Sequence, residues 1–310
     1  MNKQSFQKAL NSHSPMIIDG GLATQLEAQG CDIGNALWSA SLLQTNPDAI
    51  VEATRAYLDA GAVCVATASY QASCEGFATL GLSADEANKL MRLSVDLVVR
   101  ARDEFLAANP DIDYVPLIAA SIGPYGAMLH DGSEYGGRYG VSAETLRSFH
   151  AARLQLFEAS DADVLAIETI PSRLEAEVLV ELLADCATPA WISFSCGDDT
   201  HISDGTPITD VVALYKDHPT VVAVGVNCTP PQFVPELVRK IRSVAPEKSV
   251  IAYPNLGEVY CVENNSWSGT VTPGDCATAA VAWVDAGATI VGGCCRMGPD
   301  HIRAIRDALI

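Results

Sequence analysis

The stretch Val221-Val-Ala-Val-Gly-Val-Asn-Cys228 is free of polar residues as far as Val226 and then turns polar. A strand with one wet face alternates polar and apolar residues, whereas a near-continuous apolar run is buried on both faces, as in a parallel sheet covered by helices. Seven further runs share this character: Met16–Asp19, Val63–Ala68, Val115–Ala120, Val164–Glu168, Ala190–Ser195, Ser249–Tyr253 and Thr289–Cys294. The segments between them carry helix-start signals. Ser83-Ala-Asp-Glu86 and Ser172-Arg-Leu-Glu175 read as capping boxes, Asn46-Pro47 as an N-cap with proline at the first helical position, and a last helix is predicted from about Pro299. Eight strand-helix units predict an α/β fold, a single (β/α)8 TIM barrel spanning residues 1–310 as one domain, with no linker.

Composition fits a globular protein, with 49% apolar and 18% charged residues and no low-complexity block. A formal net charge of -19 argues against nucleic acid or an anionic membrane surface as partner, since both require a basic patch. The polar start, Met1-Asn-Lys-Gln-Ser-Phe-Gln-Lys-Ala-Leu10, has no secretory core, and no apolar run is long enough to span a bilayer. These features predict a cytoplasmic protein whose partners are small molecules, and a monomer is expected. The ten cysteines are scattered without an export signal and are expected to be reduced.

In such a barrel, active-site residues sit at the C-terminal ends of the strands. Cys228 ends the sixth predicted strand, and the vicinal pair Cys294-Cys295 ends the eighth. Three thiolates with a fourth position open is a catalytic zinc arrangement, so the spacing predicts a Zn2+ site. Consecutive strand residues face opposite ways, so both members of the pair can bind one ion only where the strand has ended. Gly292-Gly293 before the pair and Gly298-Pro299 after it supply that exit. Ordinary buried cysteines and a strained vicinal disulfide are the competing readings. Cys31, Cys64, Cys74, Cys186, Cys196, Cys261 and Cys276 are assigned to packing or surface.

Other polar groups fall near strand ends. Glu168 precedes the signal of the next helix, so capping does not account for it, and a carboxylate at the mouth suits an ammonium group; a solvated loop acid or an internal ion pair is the alternative. Asp19 ends the first strand, and Gly20 and Gly21 after it would let a ligand approach the backbone, although Asp-Gly-Gly is also an ordinary turn. Asn227, Tyr253 and Asn255 are candidates for binding substrate or for orienting the groups that do, and either role or a structural one is open. Thr67, Ser69 and the loop Ser121–Gly126 are weaker candidates. None of the six histidines falls at a predicted strand end, which leaves a histidine metal site or a serine-histidine-aspartate triad without support. Gly132-Ser-Glu-Tyr-Gly-Gly137 lacks the strand-to-helix context of a phosphate loop and reads as a surface loop.

Asp19-Gly-Gly-Leu-Ala-Thr24, Thr67-Ala-Ser-Tyr-Gln-Ala-Ser73, Glu168-Thr169, Gly225-Val-Asn-Cys228, Tyr253-Pro-Asn255 and Gly292-Gly-Cys-Cys-Arg296, in that order, resemble the homocysteine S-methyltransferase family over essentially the whole chain. The resemblance implies a zinc-dependent barrel with Cys228, Cys294 and Cys295 as ligands, homocysteine as methyl acceptor, and Asp19 and Glu168 as the groups that bind its amino-acid end. Met297 stands where relatives often have threonine. A sequence that stops after the eighth helix is expected to lack folate and cobalamin domains and the extension of the betaine type, and its Thr-Ala-Ser-Tyr-Gln-Ala segment is most similar to the branch that uses S-methylmethionine, with S-adenosylmethionine as a second sulfonium donor. Alternatives are a betaine-dependent enzyme, a non-catalytic zinc- or thiol-binding sensor, and a thiol-disulfide oxidoreductase, the last disfavoured by the absence of Cys-x-x-Cys.

Overall fold

The computed structural model describes residues 3–34, 38–257, 259–261, 266–268 and 271–310. Eight parallel strands form the wall: β1 (Met16–Ile17), β2 (Cys64–Ala66), β3 (Leu117–Ile122), β4 (Val164–Ile170), β5 (Ala190–Phe194), β6 (Val221–Asn227), β7 (Ser249–Tyr253) and β8 (Ile290–Val291). Their spatial order is β1-β8-β7-β6-β5-β4-β3-β2. A parallel bridge between Ile18 and Cys64 joins the two ends, with Val63 N donating to Ile17 O at 2.8 Å and Asp19 N to Cys64 O at 3.1 Å. The sheet is therefore a closed barrel.

All eight strands occupy the predicted segments, with differences at their ends that have local causes. The third begins at Leu117 rather than Val115, because Pro116 has no amide to donate and Val115 is 47% exposed. The fourth runs past Glu168 to Ile170 with a register shift. The eighth stops at Val291, where Gly292-Gly293 turn away. Ser83 and Glu86 form the predicted capping box at the start of the 25-residue helix Ala84–Ala108. Asn46 is the N-cap before Pro47, although its side chain makes no capping bond. The reading of Ser172–Glu175 as a box is corrected. Ser172 caps the Glu175 amide, but the Glu175 carboxylate turns inward and is fully buried. The last helix covers Pro299–Leu309.

Strand parity sorts the core into two layers. One set of alternate residues, including Met16, Leu117, Ala119, Val164, Ala166, Trp191, Ala223 and Ile251, packs with Phe6 and Leu10 of the first helix inside the barrel. The other set, including Ile17, Val65, Ile118, Leu165, Ile192 and Val224, packs against the surrounding helices. Continuing the inward parity toward the C-terminal ends of the strands gives Ser121, Glu168, Ser193, Asn227 (beyond Gly225) and Tyr253, and these residues build the mouth.

Candidate metal centre and substrate site

Two backbone exits deliver the thiols. At the end of β6 Cys228 adopts φ 45°, and at the end of β4 the β-branched Thr169 adopts φ 62°, the left-handed region that non-glycine residues rarely occupy. At the end of β8 the glycines are required by their neighbours, since a Cβ on Gly292 would lie 2.3 Å from Ile18 Cγ1 and one on Gly293 2.6 Å from Met297 Cβ. The turn that follows is pinned on both sides. Cys294 N donates to Pro254 O at 2.9 Å, Leu256 N donates to Cys295 O at 3.1 Å, and Tyr57 Oη donates to Met297 O at 3.1 Å. Cys228 Sγ lies 3.8 Å from Cys295 Sγ, which lies 4.0 Å from Cys294 Sγ, and all three sulfurs fall within 4.8 Å of one another.

The thiols do not ionise independently. Contacts with the Cys228 and Cys294 thiols, and a hydrogen bond from the Tyr135 hydroxyl, hold Cys295 well below the usual thiol range. Cys228 is pushed well above that range by its contacts with Cys294 and Cys295 and by burial. Cys294 gains from its contact with Cys228, but its contact with Cys295 and burial push it up as well. A cluster that stabilises one thiolate at the expense of two is completed by a cation that stabilises all three, and three soft sulfur ligands with an open side fit zinc. The described cysteines are all free thiols. Cys64, Cys196 and Cys276 are buried and Cys31, Cys74 and Cys186 half-buried, whereas Cys261 lies outside the described side chains.

Beside the sulfurs stand two carboxylates. Glu168 accepts from Ser121 Oγ, and from Tyr253 Oη at 3.0 Å. Asp19 Oδ2 accepts from Ala66 N at 2.7 Å. Burial pushes the Asp19 carboxyl up to about 7, with the charge of Glu168 adding to the effect, and burial also raises Glu168. Two acids held near each other with raised pKa values form a site that a cation would relax.

The remaining predicted residues divide by what they touch. Tyr253 accepts from Trp191 Nε1 at 3.1 Å and is 2.6 Å from Ser193 Oγ, so it orients Glu168. Asn227 is fully employed within the protein: its Oδ1 accepts from Thr169 N at 2.7 Å and Ser193 Oγ at 2.8 Å, and its Nδ2 donates to Thr169 Oγ1 at 2.7 Å. Thr67 Oγ1 is likewise used, 2.6 Å from Ser69 Oγ and accepting from Ser121 N at 3.0 Å. At Gly20 the close approach is by the chain itself, because a Cβ there would lie 2.3 Å from Met297 O. The Asn255 side chain lines an apolar cavity of about 360 Å³ with Pro231, Trp283 and Met297, and its Oδ1 is buried without a partner.

Three residues at the mouth escaped the sequence reading. Tyr70, whose hydroxyl bonds the Thr169 side chain, lay inside a motif already singled out. Glu134 and Tyr135 lie on Gly132–Gly137, which is not a plain surface loop. Glu134 is only 5% exposed, and the Tyr135 hydroxyl reaches Cys295. The signal available was the run of glycines around an acid and an aromatic residue.

Asn227 clamps the strained Thr169 peptide one residue from Glu168 and one residue from Cys228. Asn227→Ala is expected to lower stability by about 2–4 kcal/mol, since each buried polar group left unsatisfied costs about 1–3 kcal/mol. An unchanged thermal midpoint would remove the clamp assignment.

Fold and site together define a (β/α)8 barrel with a three-thiol centre and a pair of buried acids at its C-terminal mouth. The homocysteine S-methyltransferase family profile matches residues 16–309. The chain is 44% identical over 302 residues to homocysteine S-methyltransferase YbgG of Bacillus subtilis, covering 96% of each protein. It is 42% identical to the selenocysteine Se-methyltransferase of Brassica oleracea var. italica, over 95% of this chain and 88% of that protein. The metallated form of the homocysteine methyltransferase MmuM from Escherichia coli superposes with a TM-score of 0.87 at 40% identity, over 98% of this chain and 99% of that one. The chain belongs to the homocysteine S-methyltransferase family and is a methyltransferase.

Proposed function

We propose that this protein transfers a methyl group from S-methylmethionine, or from S-adenosylmethionine, to the thiol of L-homocysteine, forming methionine, with zinc held by Cys228, Cys294 and Cys295. The observation that carries the reading is the meeting of three sulfurs from two strand ends within 4.8 Å of one another, beside Asp19 and Glu168. When bound, zinc supplies the charge that keeps an added thiol ionised near neutral pH.

The chain's own groups do the rest. Asp19 and Glu168 bind the acceptor's ammonium, with Ser121 and Tyr253 fixing the Glu168 carboxylate. The acceptor's thiolate attacks the donor's methyl carbon. The old carbon-sulfur bond breaks, and its electron pair stays on the donor sulfur, which becomes a neutral thioether. Positioning both reactants makes the step effectively unimolecular. The donor's positive charge disappears as the thiolate's does, so a partly dry mouth favours the transition state. An acidic mouth favours S-methylmethionine and S-adenosylmethionine, each of net positive charge, over betaine, a neutral zwitterion. Small molecules are then its partners, and a cytoplasmic monomer accompanies the reading. No helix among the described residues is long and apolar enough to cross a membrane.

The test is to incubate zinc-loaded protein with homocysteine and, separately, S-methylmethionine, S-adenosylmethionine or betaine, and to measure methionine. The expected product appears with the two sulfonium donors. Turnover with betaine alone would overturn the donor assignment, and metal binding without turnover would favour the sensor.

A further inference from the structure

The short 3-10 turn Ser133–Tyr135 is built into the mouth, yet the acceptor site makes no use of its acid. Glu134 is 5% exposed, and its Oε2 is buried with no hydrogen-bond partner. Burial raises the Glu134 carboxyl, and the charges of Asp131 and Cys295 add to the rise. A buried acid without a counter-charge is costly and persists only where something else requires it.

The turn is seated firmly. Gly132, Gly137 and Gly140 adopt φ 81°, 66° and 67°, conformations that let the loop fold back on the barrel. A Cβ on Gly137 would lie 2.8 Å from Ser172 Cβ, and one on Gly126 would lie 2.6 Å from Glu134 N. Behind it, the buried Glu175 accepts from Tyr125 N at 2.7 Å and Tyr139 Oη at 2.9 Å, and its Oε1 lies 2.7 Å from His150 Nε2. Arg153 ties the loops after β2 and β3 together by donating to Tyr70 O at 2.9 Å and Gly123 O at 2.7 Å. The adjacent Tyr135 places its hydroxyl on Cys295, so the turn overlooks the thiol trio.

We infer that Glu134 is the anionic anchor of the methyl donor, receiving the positive charge of a sulfonium amino acid beside the thiol trio. The inference rests on the proposed methyl transfer and names the residue that selects a cationic donor. Tyr135, 46% exposed beside it, presents an aromatic face, to which a sulfonium is attracted as other cations are.

The test compares wild type with Glu134→Gln, which keeps shape and removes charge. The donor KM for S-methylmethionine is expected to rise by about thirtyfold or more, the usual cost of removing one member of a desolvated charge pair. Homocysteine KM and bound zinc are expected to stay within about twofold of wild type. Calorimetric titration of S-methylmethionine into the zinc-loaded protein without homocysteine should show the same loss of affinity. Should the Gln variant not fold, Glu134→Asp, which withdraws the charge by one methylene, is expected to show the same selective rise. An unchanged donor KM, or equal rises for both substrates, would overturn the inference. Failure of wild type to methylate homocysteine with any donor would instead strike the proposed function.

Discussion

Cys295→Ser is expected to give a folded barrel that retains no stoichiometric zinc and has lost methyl transfer. Contacts from both sulfur neighbours and from Tyr135 hold the Cys295 thiol well below the usual thiol range, whereas a serine hydroxyl does not ionise near neutral pH. Removal of the Cys295 thiol leaves Cys228 and Cys294 as two sulfur ligands where three are needed, and burial pushes both of them up. Loss of an outer partner of a metal ligand costs about 10–100-fold in metal affinity or activity, so loss of a direct ligand is expected to exceed about a hundredfold. Folding should survive because Cys295 is half-buried and its main turn contact, the bond from Leu256 N, is made by the backbone. The measurements are metal content, methionine formation and a thermal melt on the same preparation. Zinc-replete, active Cys295→Ser protein would dissolve the metal assignment. Loss of fold together with loss of metal would move the residue to the structural class.

The barrel was legible because its information is local. Each strand is an apolar run bounded by turn residues, and eight such runs with helix signals between them leave little topological freedom. The thiols were legible because they follow directly from strand ends, and because Gly292-Gly293 marked the exit that Cys294 and Cys295 need. What failed to show was every role that depends on a partner far along the chain. Asn227 reads as a site residue, yet its partners are Thr169 and Ser193, brought within reach only by the closed sheet. Glu175 sits where a capping box would use it, but a buried histidine and two tyrosine loops compete for its carboxylate, and burial decides the outcome. Glu134 lies in a glycine-rich segment whose local pattern is that of an exposed loop. Only packing of Gly126 and Gly137 against neighbouring backbone and side chains pulls it inward.

Glu168→Gln is expected to raise the homocysteine KM by about a hundredfold, an effect of about 2.7 kcal/mol, while kcat changes far less and zinc remains bound. The amide keeps the size of the carboxyl; its oxygen can still accept from Tyr253 Oη, and its NH2 can donate to Ser121 Oγ in place of accepting from it, so the shape of the mouth is preserved while the charge is lost. With Glu168 neutral, Asp19 is the one carboxylate of the proposed pair left to meet the acceptor's ammonium, so the attraction is expected to weaken. Burial, which raises Asp19 most, is unchanged, but the same change removes the smaller rise due to the charge of Glu168, so the Asp19 carboxyl is expected to ionise at somewhat lower pH and to recover part of the lost attraction. For that reason Asp19→Asn combined with Glu168→Gln is expected to cost more than the sum of the single variants, as residues that share a ligand do not act additively. Steady-state kinetics with homocysteine varied at saturating S-methylmethionine separates this from the Glu134 effect, which falls on the donor. A Glu168→Gln enzyme with unaltered homocysteine KM and kcat would place the carboxylate in the internal hydrogen-bond network alone, and the acceptor's ammonium would then have to be sought elsewhere in the mouth.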